Sequence, residues 1–112
     1  MESVQDWINE LKGSRSLILV EGKKDKHALT AVGLSNIMTI KKPLFEVVED
    51  ISQSTNKCIL LLDLDKEGKR LYSYFKKHLQ SHGVKIDDRY RNFLFSSTEI
   101  TNIEGIKKYA TE

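Results

Sequence analysis

Apolar residues follow two alternating patterns along this chain. The first is an unbroken apolar run of strand length, found at Leu17–Val20 and again at Ile59–Leu62. Such runs are typical of strands buried on both faces, as in parallel sheets covered by helices. The second pattern places apolar residues at i, i+3, i+4 and i+7, as in Val4–Leu11, and predicts helices with one buried face. Strands and helices are therefore expected to alternate.

The two patterns together predict an initial helix and then four strands separated by helices. The predicted elements are helix 3–11, strand 16–20, helix 23–32, strand 36–40, helix 43–51, strand 57–62, helix 67–79, strand 84–86 and a closing helix near 103–110. The segment 87–95 fits either a helix or a strand, and we favour a helix. This order predicts an α/β fold with a mostly parallel, right-handed sheet whose two most apolar strands are central neighbours.

Composition narrows the class of protein. A chain of 112 residues fits one domain, and 39% apolar residues are enough for one core. The 18 basic and 16 acidic residues give a net charge of +2, which excludes a strongly basic, histone-like binder. The one cysteine, Cys58, precludes an internal disulfide, and we expect it to be a small buried residue. With no membrane-length apolar run or signal peptide, a cytoplasmic protein that does not bind membranes is expected.

Each of the two apolar runs stops at acidic residues. Glu21 follows the first run, and Asp63 and Asp65 follow the second. Ligands of open α/β sheets bind outside the carboxyl ends of the strands, where the strand order reverses, so we expect these three acids to converge there. Converging carboxylates raise one another's pKa values, and a hard cation such as Mg²⁺, with Mn²⁺ as a substitute, would relieve the repulsion.

A glycine and several lysines follow each acidic strand end. Gly22 and Gly68 permit sharp turns and close approach of a phosphate to amide groups. The lysines beyond them are Lys23, Lys24, Lys66 and Lys69, with Lys26 a little further on. Metal-binding acids and phosphate-binding lysines would then share one rim, as phosphoryl transfer requires. The alternative is that the aspartates only cap the next helix and the lysines form a solvated face.

The paired motifs resemble those of a known domain family. The run Val20-Glu-Gly-Lys-Lys-Asp25 and the later run Asp63-Leu-Asp-Lys-Glu-Gly-Lys69 are similar to the two motifs of the Toprim domain. That domain occurs in type IA and type II topoisomerases, bacterial-type primases, overcoming-lysogenization-defect nucleases, RecR proteins and ribonuclease M5. The resemblance spans residues 14–86 and is closest to ribonuclease M5-like and small stand-alone Toprim proteins.

The resemblance implies a fold and a set of residue roles. It implies a Rossmann-like three-layer sandwich forming a single domain over 1–112, with an N-terminal helix (1–13), a Toprim core (14–86) and a C-terminal helical segment (87–112). Glu21 would be the general acid/base, and Asp63 and Asp65 would bind Mg²⁺ together with Glu21. Asp25 and Glu67 are further candidates for orienting ligands or water.

The predicted function is Mg²⁺-dependent phosphodiester chemistry on RNA or DNA, as a nuclease or in nucleotidyl transfer. The chain has no room for the tyrosine-bearing domain of topoisomerases or the template-binding module of primases. A non-catalytic module that binds nucleic acid or protein, as a homodimer or in a larger processing complex, is the alternative. A third class is a phosphohydrolase or receiver-like domain with Asp63 as the nucleophile, although dehalogenase-type enzymes carry Asp-x-Asp on the first strand.

Weaker signals lie elsewhere in the chain. His78 and His82 have the i, i+4 spacing of a metal pair but no evident third ligand. Arg89-Tyr90-Arg91 has the basic and aromatic mixture of nucleic-acid surfaces. His27 follows the first lysines, and Glu104-Gly105 is similar to the first motif. For each of these, an ordinary surface or packing role is the simpler expectation.

Overall fold

A computed structural model describes residues 1–110 as an α/β fold with five α-helices and four strands. The helices are α1 (Val4–Lys12), α2 (Lys23–Ala31), α3 (Leu44–Ser54), α4 (Lys66–Ser81) and α5 (Arg89–Ser97). The strands are β1 (Leu17–Val20), β2 (Ile37–Thr39), β3 (Lys57–Leu60) and β4 (Lys85–Ile86). A 3₁₀ helix (Ile103–Tyr109) follows α5. The α/β class and the order of elements are as the apolar patterns predict.

The four strands form one sheet in the order β2-β1-β3-β4, and every pair is parallel. The two most apolar strands, β1 and β3, are central neighbours with Leu19 opposite Leu60. The short strands β2 and β4 lie at the edges. The sheet is therefore entirely parallel within residues 1–110, and its central pair is the one predicted.

Alternate side chains of the central strands enter two separate cores, which makes the fold a three-layer sandwich. On one face, Ile18 and Ile59 pack with residues of α1, α2, α5 and the 3₁₀ helix. On the other face, Leu19 and Leu60 pack with residues of α3 and α4. Because both faces are covered, the strands need no polar positions, and their unbroken apolar runs are explained.

Trp7 and Cys58 are part of these cores. Trp7 is fully buried, and its indole N–H donates to the Tyr90 carbonyl at 2.9 Å. This bond ties α1 to α5. Cys58 is also fully buried, and burial raises the pKa of its thiol to about 12. Cys58 is therefore the small buried residue predicted from the sequence, and Trp7 lies on the buried face of α1.

The ends of several elements differ slightly from those predicted. Pro43 lies at the cap position before α3, not in its first turn, and its carbonyl accepts from Val47 N–H at 3.2 Å. Residues 87–95 are largely helical, as favoured, while the closing helix is 3₁₀ and capped by the Asn102 side chain. No helix within residues 1–110 is long and apolar enough to cross a lipid bilayer.

Candidate metal and phosphate site

Glu21 and Asp63 lie at the carboxyl ends of the two central strands. Glu21 follows β1 directly, and its carbonyl accepts from Ile40 N–H at 3.2 Å. Asp63 follows β3 by three residues, after Leu61 has donated its N–H to Leu19 at 2.9 Å. The chain leaves β1 towards β2 on one side and reaches β3 on the other, so this is where the strand order reverses and ligands bind in such sheets.

The acids at this edge influence one another's ionisation. The pKa of Glu21 is raised by partial burial and then by the charges of Asp63, Asp25, Glu67 and Asp65. Burial raises the pKa of Asp25, and the Asp63 charge raises it further. The pKa of Asp63 is raised by burial and by Asp65, against a hydrogen bond from Ile103. The edge is therefore a site of concentrated negative charge that favours a cation or a proton.

Asp63 is held on both its backbone and its side chain. Its Oδ1 accepts from Ile103 N–H at 2.8 Å, and its carbonyl accepts from Arg91 Nη2 at 3.1 Å. The next residue, Leu64, donates its N–H to the Thr101 carbonyl at 3.1 Å. The segment before the 3₁₀ helix and helix α5 thus fix the turn that carries Asp63. Within residues 1–110, the second carboxylate oxygen of Asp63 has no hydrogen-bond partner.

Arg91 takes the place of a missing strand beside β3. β4 pairs only with Lys57 and Cys58, so within residues 1–110 the later residues of β3 have no neighbouring strand on that side. Arg91 of α5 donates Nε–H to the Leu62 carbonyl at 2.9 Å, in addition to its bond with Asp63. Its guanidinium lies 4.3 Å from the centre of the Tyr72 ring. One side chain therefore satisfies two consecutive carbonyls at the end of β3.

Gly68 has a packing role that differs from the predicted phosphate contact. A Cβ at this position would lie 2.1 Å from the Asp63 carbonyl oxygen, so α4 begins directly against the backbone of Asp63. The Gly68 N–H donates to Asp65 Oδ1 at 2.7 Å and is therefore already used. The missing side chain of Gly68 thus makes room for the protein's own backbone, and the predicted contact of this residue with phosphate stays a prediction.

Asp65 is the N-cap of α4 through that same hydrogen bond. The capping role weighed in the sequence is therefore real, and it uses one of the two carboxylate oxygens. Asp25 has a similar role in α2, where its Oδ2 accepts from Gly22 N–H at 3.3 Å. In contrast to Gly68, a Cβ on Gly22 would meet no atom within 4 Å. Open space for a ligand therefore remains beside Gly22.

The predicted lysines surround this edge. Lys23 and Lys24 are exposed in the first turn of α2, and Lys66 and Lys69 are exposed in the first turn of α4. Both turns present the positive end of a helix. Glu67 is less available than expected, because Arg70 binds both its oxygens at 2.9 and 2.7 Å. That hydrogen-bonded pair lowers the pKa of Glu67.

Within residues 1–110, no three acidic, histidine or cysteine side chains form a ready-made metal site. The predicted three-ligand set of Glu21, Asp63 and Asp65 is thus not preassembled. Asp65 is turned towards the start of α4, and one oxygen of Asp63 faces Ile103. Each still has a second oxygen without a hydrogen bond in this part of the chain. An all-oxygen set of this kind suits Mg²⁺, which needs one or two carboxylates and completes its shell with water and phosphate.

Three charged residues belong to this edge but were not assigned to it from the sequence. Glu104 of the 3₁₀ helix is close enough to raise the pKa of both Asp25 and Asp63. Arg70 is close enough for Glu21 to raise its pKa, and Arg91 supports the Asp63 turn. The similarity of Glu104-Gly105 to the first motif was the one available signal. The other two depend on how helices pack.

Two of the weaker sequence signals, the histidine pair and the basic and aromatic run, have ordinary structural roles. His82 Nδ1 lies 2.8 Å from the His78 carbonyl at the exposed end of α4, and the two histidines belong to no metal cluster within residues 1–110. Tyr90 is buried, and Arg89 pairs with Asp87 at 2.8 Å. The basic and aromatic run therefore does not form a continuous surface.

Comparison with known proteins identifies relatives of this chain. No protein-family model matches it. A solved structure, described as a putative protein from Aquifex aeolicus, is 37% identical with a TM-score of 0.87, and the match covers 94% of this chain and 99% of that one. This chain belongs to the same family as that protein. The shared fold is therefore shown by both sequence and structure.

Two archaeal proteins are also similar along almost the whole chain. A UPF0292 protein of Methanosarcina barkeri is 29% identical, covering 100% of this chain and 83% of its own length. Another from Methanocaldococcus jannaschii is 26% identical, covering 99% and 92%. None of these names states an activity, so the resemblance to Toprim domains rests on the two motifs.

Proposed function

We propose that this protein carries out Mg²⁺-dependent phosphodiester chemistry on RNA or DNA, as a nuclease or in nucleotidyl transfer. The observation that carries the proposal is the position of Glu21 and Asp63 at the carboxyl ends of adjacent parallel strands, where the strand order reverses. Their mutual charge raises the pKa of Glu21 beyond the effect of burial. We further propose that this activity takes place in the cytoplasm.

The residues divide the chemistry between them. Asp63 would hold Mg²⁺ through its free oxygen, with Asp65 and Glu21 completing the protein's share of ligands. Bound there, Mg²⁺ would supply charge stabilisation at the phosphoryl oxygens. Glu21, whose pKa is raised by partial burial and then by the charge of Asp63, is suited to exchange a proton with an attacking water or a leaving oxygen. Asp25 and Glu104 would orient water at the same edge.

The lysines around the acidic edge would bind the phosphates of the RNA or DNA. Lys23 and Lys24 start α2, and Lys66 and Lys69 start α4, on the two sides of the acids. A phosphate approaching the open space at Gly22 would meet the positive end of α2. Lysines on both sides of the acids suit a nucleic acid, which carries a negative charge at every phosphate.

A non-catalytic nucleic-acid-binding or protein-binding module is the second candidate, acting as a homodimer or within a larger processing complex. The observation that favours it is the capping role of Asp65, which occupies one oxygen of a predicted metal ligand. In this case the lysines would bind nucleic acid without turnover. The two candidates differ in whether the protein cleaves or extends the nucleic acid when a divalent metal is present.

The test is cleavage of labelled RNA and DNA by wild type, Glu21→Gln and Asp63→Asn. We expect Mg²⁺- or Mn²⁺-dependent cleavage that falls at least about a hundredfold in Glu21→Gln, because general acid–base catalysis contributes at least that much. Asp63→Asn should lose cleavage and also weaken Mn²⁺ binding measured by calorimetry. Asparagine keeps the acceptor for Ile103 N–H, so folding should be preserved.

Asp87→Asn is the matched control, because Asp87 is a half-buried carboxylate paired with Arg89 away from the site. It should retain both metal binding and cleavage. Cleavage that needs no metal and survives both site substitutions would overturn the proposal. Salt-sensitive binding of nucleic acid without any turnover would favour the binding module instead.

A further inference from the structure

A second feature, outside the acidic edge, is a groove of about 620 Å³ between α2 and the outer side of β2. It runs from the loop before β2, at Ser35, to Lys41 just beyond the strand. Its far end is next to the candidate site, because Ile40 N–H donates to the Glu21 carbonyl at 3.2 Å. The groove therefore leads from the acids along the edge of the sheet.

The charge of the groove is positive. Lys26 and Lys41 are both exposed in its lining, and Thr30, Ser35 and Thr39 add hydroxyl groups. Among residues 1–110, no acidic residue lines the groove, although acids are nearly as numerous as bases in the whole chain. This is in contrast to the acidic edge and identifies an anion as the complementary ligand.

The backbone of β2 adds hydrogen-bonding groups. The Asn36 carbonyl accepts from Ile18, and the Ile40 N–H donates to Glu21, so the even-numbered residues face β1. The N–H and C=O groups of Ile37 and Thr39 therefore point into the groove, since no strand within residues 1–110 pairs with this side. An unpaired strand edge offers a regular row of donors and acceptors.

We propose that this groove binds a single strand of the nucleic acid on which the acidic edge acts, guiding it towards Glu21; the inference rests on the proposed function. The volume is on the scale of small-molecule pockets, about 300–1,000 Å³, which suits one strand and not a duplex. Lys26 of α2 and Lys41 just beyond β2 place positive charge beside this strand edge, which favours phosphates as the ligand. No aromatic residue in the described part of the chain lines the groove, so binding should be ionic and insensitive to sequence.

The test measures binding of a short fluorescein-labelled oligouridylate and its oligothymidylate counterpart by anisotropy in EDTA, so that cleavage cannot occur. The variant Lys26→Ala/Lys41→Ala removes both cations of the groove. We expect about tenfold weaker binding near 0.15 M salt, and a slope of log K against log salt that is smaller by about 1.4, from two lost phosphate contacts on a single strand.

The matched control is Lys57→Ala/Lys85→Ala, which removes two exposed charges from neighbouring positions at the amino ends of β3 and β4. It should bind as wild type does. Equal weakening by both variants, or no salt-sensitive binding by wild type, would overturn the groove assignment. A dimer in solution that dissociates on Thr39→Pro would also overturn it, by showing that β2 pairs with a second copy.

Cleavage by wild type and by Lys26→Ala/Lys41→Ala is measured separately with Mg²⁺. Cleavage without groove-dependent binding would overturn the groove alone. Groove-dependent binding without cleavage in any divalent metal would overturn the nuclease proposal while supporting the groove as a binding surface. The two failures are therefore distinguishable.

Discussion

Asp63 has some atoms that are held in place by neighbouring residues and one carboxylate oxygen that is left for a ligand. Its Oδ1 and its carbonyl are fixed by Ile103 and Arg91, and its backbone is covered by Gly68. Only Oδ2 remains available within residues 1–110. Holding a ligand in one orientation reduces the entropy lost when a metal or substrate binds. Ile103, Arg91 and Gly68 are thus part of the site, because they fix the orientation of Asp63.

Gly68→Ala tests that support. The added methyl group would lie 2.1 Å from the Asp63 carbonyl oxygen, which is backbone and cannot move without displacing the turn. We expect a loss of about 3 kcal/mol or more in the free energy of unfolding, measured by urea denaturation. Metal binding should weaken as well, because the Asp63 turn must shift.

The control for this substitution is the glycine of the first motif. Alanine at Gly22 meets no atom within 4 Å, and the backbone there is extended with φ −147°. Gly22→Ala should therefore change stability by less than about 1 kcal/mol. Equal stability of the two alanine variants would show that α4 does not pack on Asp63 as described.

At the scale of elements, α5 completes the sheet edge that β4 leaves short. β4 has two residues, and its pairing with β3 ends at Cys58. Without Arg91, the carbonyls of Leu62, which is buried, and Asp63, which is half-buried, would lose these donors. Unsatisfied buried carbonyls are costly, so the helix is required to hold the end of the central strand.

Arg91→Met tests this role of α5. Methionine keeps an apolar stem to pack near Tyr72 and Phe95 but donates no hydrogen bond. We expect a loss of about 2–3 kcal/mol in the free energy of unfolding, measured by chemical denaturation. Affinity for Mn²⁺ should fall too, because Asp63 would lose its backbone support.

Arg89→Met is the control on the same helix. Its guanidinium pairs with Asp87 at the surface, and such pairs contribute less than about 1 kcal/mol. We therefore expect Arg89→Met to destabilise the protein less than Arg91→Met. Equal losses in the free energy of unfolding would show that the hydrogen bonds from Arg91 to the carbonyls of Leu62 and Asp63 stabilise the fold no more than a surface ion pair.

The whole molecule is organised by two cores on opposite faces of one sheet. Trp7 of α1, Tyr90 of α5 and Ile103 of the 3₁₀ helix share the first core with the central strands. The N-terminal helix and the C-terminal segment are therefore packed into the same unit as residues 14–86. The C-terminal segment also contributes Ile103 N–H and Glu104 to the acidic edge.

This arrangement predicts a single cooperative unfolding transition. Trp7 is the only tryptophan and reports on the packing of α1, whereas far-ultraviolet circular dichroism reports on all helices. The two urea transitions should coincide in midpoint and slope, as in small single domains. Loss of tryptophan signal at lower urea would mean that α1 detaches before the sheet unfolds.

The sequence alone determined the fold class and the positions of Glu21 and Asp63 at the ends of the two central strands. Unbroken apolar runs predict strands buried on both faces, and acids placed directly after two such runs must reach the same edge once those strands are parallel neighbours. These conclusions depend on local periodicity and on the geometry common to parallel sheets, so no side-chain packing was needed. The helical repeats and most caps follow from the same local rules.

Only the tertiary structure decided how each motif residue is used. Gly68 packs on Asp63, Asp65 caps α4, and Arg91 and Ile103 hold the Asp63 turn. The contacts of Arg91 and Ile103 with this turn join residues 28 to 40 positions apart, and no local pattern encodes them. Whether a carboxylate oxygen is free or already bonded depends on how the helices pack around it, and that is what determines which oxygens remain for a metal.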